Sequence, residues 1–483
     1  MKAAGLSLIL TLFAYVVTAQ VWPAEGSKLN YRLVTFTVPA KQGNHVYTLK
    51  VARGSYRKQE VFDRNVQIER VETNNRIVAE LPSFDAPYTW QVEYEDKSKT
   101  ALFHCYTKGS SMTDTSKYRL RVIENKYATD SVYFFLDYAR SLYNMKGEIV
   151  WYLPDIIPYV DSVSRIRDLK MTPSGTITFL TDTGAYEVDY NGKLLWSAPE
   201  VNDGAGLSYH HEFTKLNNGN YMLLGAEEDL RKMPEDSLAL KFNGVLEMRD
   251  DGHYKRILFS TIEEFSPDKK LVWKWSSSNY FKGERFDLLR MDNNTYMPTI
   301  KLNGFYFDEQ KRIVYAGFRD VSQILKIRYP EGDILDVYGK NTATTSAGAF
   351  IAQHSYNITK NKELLIYNNN SQRNDRNTIS SIQIFQEPHR QGDSLKKVWE
   401  FSCDIDGEAA RQSGREGNVT ELSDGSILCC MGTSPRIFIV DRSKNILFNC
   451  ISEKWSYRKN SWDKYPQYRV SILNINNLTK AIN

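Results

Sequence analysis

The sequence has little net charge and no long basic run. Its 62 Lys and Arg residues nearly balance its 58 Asp and Glu residues, so the formal charge is only +4 over 483 residues. A nucleic-acid binder normally carries a basic patch or stripe, and that electrostatic footprint is missing here. We therefore do not expect nucleic acid as a partner.

Long apolar stretches are missing beyond the N-terminus. There, Lys2, the apolar stretch 6–17 and the small-residue site Val17-Thr18-Ala19 predict a secretory signal peptide over residues 1–19. The stretch is shorter than the ~20 residues that span a bilayer. No Cys stands at the cleavage site, as a lipoprotein would require. We expect a periplasmic protein without a membrane span.

Cysteine is scarce, and its spacing fits no metal site. The five cysteines are an odd number, which leaves at least one thiol unpaired in an oxidising compartment. There is no CxxC pair, no Cys/His ligand pattern and no calcium-loop spacing. We expect neither a metal nor a cofactor, and we interpret the cysteines as buried structural residues.

Aromatic residues are abundant, at 13% of the chain, and Asn-rich turns recur, which favours β-structure. Between residues 30 and 106 the apolar residues alternate, with Val34, Phe36 and Val38 on one face of a strand. Short strands separated by turns predict a small immunoglobulin-like β-sandwich over residues 20–116.

One phrase, an apolar pair followed by a large residue, returns six times after a polar linker. Consecutive copies are 45 to 77 residues apart, which is close to or above the length of a four-stranded propeller blade. The large residues are Trp151, Trp196, Trp273, Val337, Trp399 and Phe448.

The first copy lies too near the linker to complete a blade, and residues 468–476 form an apolar strand left over at the other end. Joining the two would close a ring and remove exposed edges. The predicted fold is therefore all-β, with a six-bladed β-propeller over residues 117–483 after the sandwich.

The seven histidines are few enough for their positions to be informative. His210 and His211 precede one turn and apolar strand, and His354 precedes another. Lys301 and Asn303 occupy the equivalent place in the interval between them. These positions predict side chains at the inner strands, facing a central channel.

This order of motifs resembles the arylsulfotransferase family. A His-His-acid segment comes before an Asn-Gly turn, Asn303 comes before the pattern R-x-x-S-x-x-x-K-I that begins at Arg319, and Gln-His comes before a further turn. The resemblance covers most of the chain, and its specificity lies in order and spacing.

The resemblance implies a periplasmic enzyme that transfers a sulfo group from an aryl sulfate to a phenolic acceptor without the nucleotide donor PAPS. His354 then becomes transiently sulfated, as a neutral imidazole can attack sulfur and leave again. Arg319 and Asn303 match residues that hold the sulfate. The His210–His211 pair matches a further channel histidine, and the sequence leaves open which of the two faces the channel.

The chain departs from the family pattern at two positions. Lys301 stands where the pattern has a third channel histidine, and Ser355 stands where an acid often follows the catalytic histidine. These departures keep two rival hypotheses open: a non-catalytic propeller that binds sulfated or phenolic ligands, and a scaffold protein. A hydrolase that transfers the sulfo group to water is a narrower variant of the enzyme hypothesis. The sandwich domain could support a homodimer.

Overall fold

The computed structural model describes residues 21–127, 132–161, 163–200, 209–233, 246–283, 285, 299–339, 350–371, 378–388, 390, 394–405 and 413–480. The predicted signal peptide over residues 1–19 lies outside the described residues. The described chain is all-β, as predicted, and it divides into two compact units. One contains residues 21–29 and 33–108, and the other contains residues 30–32 and 109–480.

The first unit has one five-stranded and one two-stranded sheet. The strand order is β1-β7-β6-β3-β4 in the larger sheet and β2-β5 in the smaller one. A short helix, α1 (Gln59–Arg64), follows β3. The strands are β1 (Ser27–Leu29), β2 (Leu33–Thr37), β3 (Tyr47–Arg53), β4 (Ile68–Glu72), β5 (Arg76–Glu80), β6 (Ala86–Tyr94) and β7 (Phe103–Thr107).

Aromatic residues from both sheets form the core of this unit. The ring of Phe36 on β2 lies 5.1 Å from the ring of Trp90 on β6, and Phe103 stacks on Trp90 at 5.0 Å. Buried and less buried residues alternate along β5 and along most of β3, as a period-two pattern predicts. Phe62 is the buried residue of α1.

The second unit contains six sheets, each of which includes a four-stranded antiparallel meander. Sheet 1 comprises β9 (Tyr133–Leu136), β10 (Ser141–Asn144), β11 (Ile149–Tyr152) and β35 (Val470–Leu473). Sheet 2 comprises β12 (Arg167–Met171), β13 (Ile177–Leu180), β14 (Ala185–Val188) and β15 (Leu194–Ser197). Sheet 3 comprises β16 (His210–Lys215), β17 (Tyr221–Lys232), β19 (Gly252–Phe265) and β20 (Leu271–Ser276), with β18 (Leu246–Arg249) and β21 (Thr299–Ile300) paired to β19.

Sheets 4 to 6 follow in chain order. Sheet 4 comprises β22 (Leu302–Asp308), β23 (Ile313–Phe318), β24 (Gln323–Arg328) and β25 (Ile334–Gly339). Sheet 5 comprises β26 (Ser355–Ile358), β27 (Leu364–Asn368), β28 (Ser381–Gln386) and β29 (Lys396–Ser402). Sheet 6 comprises β30 (Asn418–Glu421), β31 (Ile427–Cys430), β32 (Arg436–Val440) and β33 (Ile446–Ser456), with β8 (Tyr118–Asn125) and β34 (Ser461–Lys464) paired to β33. The second helix, α2, spans Ile475–Leu478.

The C-terminal strand completes sheet 1, because β35 pairs with β9 in antiparallel register from Val470 opposite Leu136. The predicted pairing of the two ends is thus found. One strand of each sheet, which we call its inner strand, contacts the inner strand of the next sheet in the order β35, β12, β16, β22, β26 and β30. Asn418 on β30 then exchanges two hydrogen bonds with the backbone of Val470 on β35, which links the last inner strand to the first.

The six copies of the apolar–aromatic phrase all lie in the strand farthest from the inner strand in the meander. Some of the tryptophans in these copies donate an indole hydrogen bond to the next sheet: Trp151 donates to the carbonyl of Tyr190, and Trp399 donates to that of Arg442. Trp196 stacks on Tyr221 of the next sheet at 3.8 Å. The repeated aromatic residues therefore pack between sheets. The copies lie in β11, β15, β20, β25, β29 and β33.

All five cysteines are buried and free. Neither helix in the described part of the chain is long and apolar enough to cross a membrane.

Candidate active site

A cavity of about 290 Å³ lies where the inner strands of the second unit begin. Five of the six residues that the sequence predicts for the site line it. They come from three sheets, so the repeat brings together residues that are far apart in sequence. The five are His211, Lys301, Asn303, Arg319 and His354.

His354 immediately precedes β26 and is only 5% exposed. Burial first, and then the positive charge of Arg319, lower the pKa of His354 to about 3. The imidazole is therefore neutral at physiological pH. A neutral imidazole has one N–H donor and one lone pair, so its tautomer decides which nitrogen can react.

Asn369, which follows β27, fixes that tautomer. Its side-chain oxygen lies 2.7 Å from Nδ1 of His354. The amide nitrogen of Asn369 donates to the carbonyls of Ser413 (2.8 Å) and Glu416 (3.0 Å), which sets the orientation of the amide. Because an amide oxygen only accepts, Nδ1 of His354 carries the proton. The lone pair is therefore on Nε2.

Arg319 follows β23, and its Nε–H donor is free. Its two terminal nitrogens donate to Asp320 at 2.7 Å and to the carbonyl of Gly414 at 2.9 Å. Its Nε is buried and has no hydrogen-bond partner among the described residues. A buried donor without a partner is costly, and an anionic ligand would satisfy it.

Asn303 is 2% exposed and lies on β22. Its amide nitrogen donates to the carbonyl of Gln353, the residue before His354. An amide nitrogen has two hydrogens, so this bond uses one of them. The side-chain oxygen of Asn303 is buried without a partner in the described chain. Asn303 thus connects β22 to the segment that carries His354.

The structure distinguishes the two adjacent histidines. His211 lines the cavity, whereas His210 is not among the lining residues. The Nδ1 atoms of the two rings are 2.8 Å apart, so one ring donates to the other. Burial and the charge of Lys301 lower the pKa of His210 to about 4. Burial and the neighbouring His210 lower the pKa of His211 well below its ordinary value.

A break in strand register explains why His211 lies at the cavity. The pairing of β16 with β17 shifts between His210 and Phe213, and His211 has a positive φ of 61°. The register of β22 shifts in the same way at Asn303, between Leu302 and Gly304. β-bulges redirect side chains, and they are common next to active sites.

Lys301, just before β22, is exposed and lines the same cavity. Its charge reaches both His210 and His211. A cation at this position can stabilise negative charge that develops on a ligand in the cavity.

A buried ion cluster lies beside the site, centred on Arg469, which immediately precedes β35. Arg469 contacts Glu212, and its Nη1 lies 3.1 Å from Asp168. Its Nη2 donates to the backbone carbonyl of Asn303 at 3.0 Å. Lys170 completes the cluster at 2.9 Å from Asp168. Because every charge has an opposite partner, pairing offsets the cost of removing these charges from water. The contacts also connect β12 and β16 to the start of β35.

Asn369 and all seven remaining lining residues could not be picked out from the sequence. Most of the seven lie just before an inner strand or at its first residue, so their equivalent place in the repeat is the signal that could have identified them. The missed lining residues are Tyr138, Arg165, Arg167, Asp320, Arg415, Glu416 and Tyr468. In the described part of the chain, no group of three or more His, Cys, Asp or Glu side chains is arranged to hold a metal ion.

Residues 106–446 match the sequence model of the arylsulfotransferase (ASST) family. The chain belongs to the arylsulfotransferase family. The match includes every predicted site residue. No curated protein matches the chain.

Solved structures resemble this chain only distantly. A protein of unknown function from Bacteroides caccae is 13% identical, with a TM-score of 0.41 over 74% of this chain and 99% of that one. A catalytically inactive variant of virginiamycin B lyase from Staphylococcus aureus, solved with quinupristin, is 10% identical, with a TM-score of 0.35 over 65% and 87%. The Swd1 β-propeller domain from Myceliophteria thermophila is 9% identical, with a TM-score of 0.34 over 64% and 78%.

Proposed function

We propose that the protein is an aryl-sulfate sulfotransferase that uses His354 as its nucleophile and needs no PAPS. The main support is the oriented, neutral imidazole of His354 beside Arg319. Small-molecule aryl substrates fit the family. The direct test is transfer from 4-nitrophenyl sulfate, followed as nitrophenol release with and without a phenol acceptor. Acceptor-stimulated release with formation of a new aryl sulfate supports the proposal, and release into water alone supports a hydrolase.

In the first step, the Nε2 lone pair of His354 forms a bond to the donor sulfur. The bond from sulfur to the aryl oxygen breaks, and the phenolate leaves with its electron pair. The free Nε of Arg319 donates to a sulfo oxygen. The amide nitrogen of Asn303 uses one of its two hydrogens on the carbonyl of Gln353, so the other can donate to a second sulfo oxygen. Splitting the transfer in two replaces one difficult displacement by two easier ones.

In the second step, the oxygen of an acceptor phenol attacks the sulfur and the bond from sulfur to Nε2 breaks. The acceptor phenol loses its proton to a base in this step, and the first phenolate takes its proton from water after it leaves. His211 is the group that we assign to this proton transfer, because its lowered pKa keeps it neutral and able to accept. Lys301 stabilises the negative charge on the phenolic oxygen.

The rings of Tyr138 and Tyr468, 6.2 Å apart, provide flat surfaces for the aryl groups. The ring of His211 lies 6.1 Å from that of Tyr468. An aryl ring packed against Tyr468 would therefore lie near the proton-transfer group.

For the whole chain, we propose a six-bladed β-propeller after an immunoglobulin-like domain, in a periplasmic protein with a cleaved signal peptide. The six four-stranded meanders and the link from β30 to β35 support the blade count. N-terminal sequencing of the exported protein should begin at Gln20, and retention of Met1 would contradict export by cleavage.

Lys301→Ala should impair donors with weakly acidic phenols most. Their transition states place the most negative charge on the leaving oxygen, and that charge is what the ammonium stabilises. We expect a loss of about 10-fold or more for such donors, against a small loss for 4-nitrophenyl sulfate. A plot of log(kcat/KM) against the pKa of the leaving phenol should become steeper. Lys301→His should restore part of the loss, because it returns a proton-transfer group to this place.

An equal loss across all donors would assign Lys301 to sulfate binding instead. No loss for any donor would contradict its role in the reaction. Lys311→Ala is the matched control, because Lys311 is exposed in the turn between β22 and β23 and pairs with Asp308.

Asn369→Asp should move the acid limb of the pH–rate profile upward. In the native protein His354 loses its reactive lone pair only as the pH falls towards about 3. A carboxylate on Nδ1–H would stabilise the imidazolium and raise the pKa of His354 by roughly 1–3 units. The acid limb of kcat/KM should rise with it, and a limb that stays in place would contradict the positioning role of Asn369.

Asn369→Ala provides the comparison for that experiment. It removes the hydrogen bond without adding charge, so we expect a rate loss of about 10- to 100-fold from the misplaced tautomer, and no upward move of the limb. A purely structural role would lower the rates of both variants and leave both pH profiles unchanged.

A further inference from the structure

A basic cluster on the cavity wall has no role in the two transfer steps. We call Arg165, Arg167 and Arg415, which surround Glu416, the Glu416 cluster. All four line the cavity, and all three guanidiniums act electrostatically on the Glu416 carboxyl. They come from the segments that lead into two inner strands, β12 and β30.

Arg165 is held flat by Tyr138. Its guanidinium carbon lies 4.6 Å from the centre of the tyrosine ring, and Nη2 donates to the tyrosine hydroxyl at 2.5 Å. The hydroxyl in turn donates to Glu416 at 3.0 Å, and Nη2 of Arg165 is 3.7 Å from the same carboxylate oxygen. The side chain of Arg165 remains 53% exposed, so its outer edge is open to a ligand.

The other two arginines also have donors to spare. Arg167 pairs with Asp182, but its Nε is buried with no partner among the described residues. Arg415 is exposed, and within the described chain its guanidinium forms no hydrogen bond or ion pair. Arginine forks bind planar anions with paired hydrogen bonds, so these free edges fit a carboxylate or a related oxyanion.

The charge of the cavity exceeds what one sulfate ester requires. Among the described lining residues there are five cations, the three of the cluster with Lys301 and Arg319, and two carboxyls, Asp320 and Glu416. A sulfate monoester carries one negative charge. With Asp182 counted as the partner of Arg167, the Glu416 cluster still has one more cation than carboxyls, and it lies in the part of the wall that the sulfo group does not need.

The cluster adjoins the proposed sulfo site. Arg319 donates to the carbonyl of Gly414, the residue before Arg415, and Asn369, which orients His354, donates to the carbonyl of Glu416. The side chains have different partners, because Arg319 pairs with Asp320 whereas Arg165 contacts Tyr138 and Glu416. One cavity therefore holds two groups of cations side by side.

We propose that the Glu416 cluster binds a second anionic group, a carboxylate or a similar oxyanion, carried on the aryl ring of a substrate. This inference rests on the proposed sulfotransferase function and names the substrate class for it: phenols or aryl sulfates with an acidic substituent. The aryl ring lies against Tyr138 and Tyr468, between the cluster and His354.

The test compares isosteric acids and amides. As acceptors with 4-nitrophenyl sulfate, we would use 4-hydroxyphenylacetate and 4-hydroxyphenylacetamide, and as donors 4-carboxyphenyl sulfate and 4-carbamoylphenyl sulfate. The acid should have a kcat/KM about 10-fold or more above that of its amide. The acceptor pair and the donor pair show which substrate carries the second anion. The preference should shrink in high salt, because salt screens partly exposed charges.

The double variant Arg165→Gln/Arg415→Gln should bring the acid-to-amide ratio close to one, and Arg256→Gln, an exposed arginine on β19, should keep it. A ratio near one for both pairs in the native protein, or a ratio that survives in the double variant, would overturn the inference. If 4-nitrophenyl sulfate gives no transfer at all, the proposed function fails instead. Calorimetric measurement of the dissociation constants of 4-hydroxyphenylacetate and its amide then tests the cluster by itself. We expect the acid to bind about 10-fold or more tightly than the amide.

Discussion

His354→Ala should abolish sulfo transfer while the protein still folds and binds its donor. Removing the nucleophile removes the bond-forming atom of both steps, so we expect kcat to fall by about 10⁴-fold or more. Neither release of nitrophenol in the absence of acceptor nor transfer to a phenol should remain. Stopped-flow and steady-state measurement of nitrophenol release from 4-nitrophenyl sulfate would check this result.

His253→Ala is the matched control for that variant. His253 lies on β19, opposite Met248, and is not among the residues that line the cavity. We expect its rates to remain close to those of the native protein. Substantial transfer by the His354→Ala protein would show that another group attacks the sulfur.

Arg319→Ala should lower kcat/KM for all aryl sulfate donors by about 10- to 150-fold, because it removes a charge-assisted contact worth roughly 1.5–3 kcal/mol. Arg319→Lys keeps the charge but loses the planar set of donors, so it should recover only part of the loss. Steady-state kinetics over a series of donors would measure both effects.

The uniform loss distinguishes Arg319 from Lys301, for which the loss should depend on the leaving group. Arg328→Ala is a suitable control, since Arg328 lies on β24 of the same sheet, is exposed and is 3.7 Å from Asp333. Unchanged donor kinetics for Arg319→Ala would remove Arg319 from the sulfo site.

The strand pattern could be predicted from the sequence because it repeats. The large residue of the phrase packs against the next sheet at the interfaces that Trp151, Trp196 and Trp399 form, so the same requirement recurs along the chain. The pairing of β35 with β9 follows from the cost of leaving two sheet edges exposed. His354 and Arg319 could be expected in one cavity because both lie next to strands of neighbouring sheets.

Side-chain direction at the site could not be predicted in the same way. A strand pattern assumes alternation, but the register shift at His211 breaks it, and only the backbone conformation decides which histidine lines the cavity. Asn369 lies beyond the second strand of its sheet rather than before the inner one, so no repeat position pointed to it. Arg165 and Arg415 lie shortly before inner strands, so their place in the repeat indicates the cavity end of the strands but not the direction of their side chains.

The most direct test of the account is the search for a sulfo group on His354. The native protein would be exposed briefly to 4-nitrophenyl sulfate without acceptor, digested under alkaline conditions and analysed by mass spectrometry. We expect one acid-labile sulfo group on the peptide that contains His354, its loss on addition of phenol, and no label in the His354→Ala protein. A label on another residue, or transfer to phenol with no label on any peptide, would contradict the covalent mechanism.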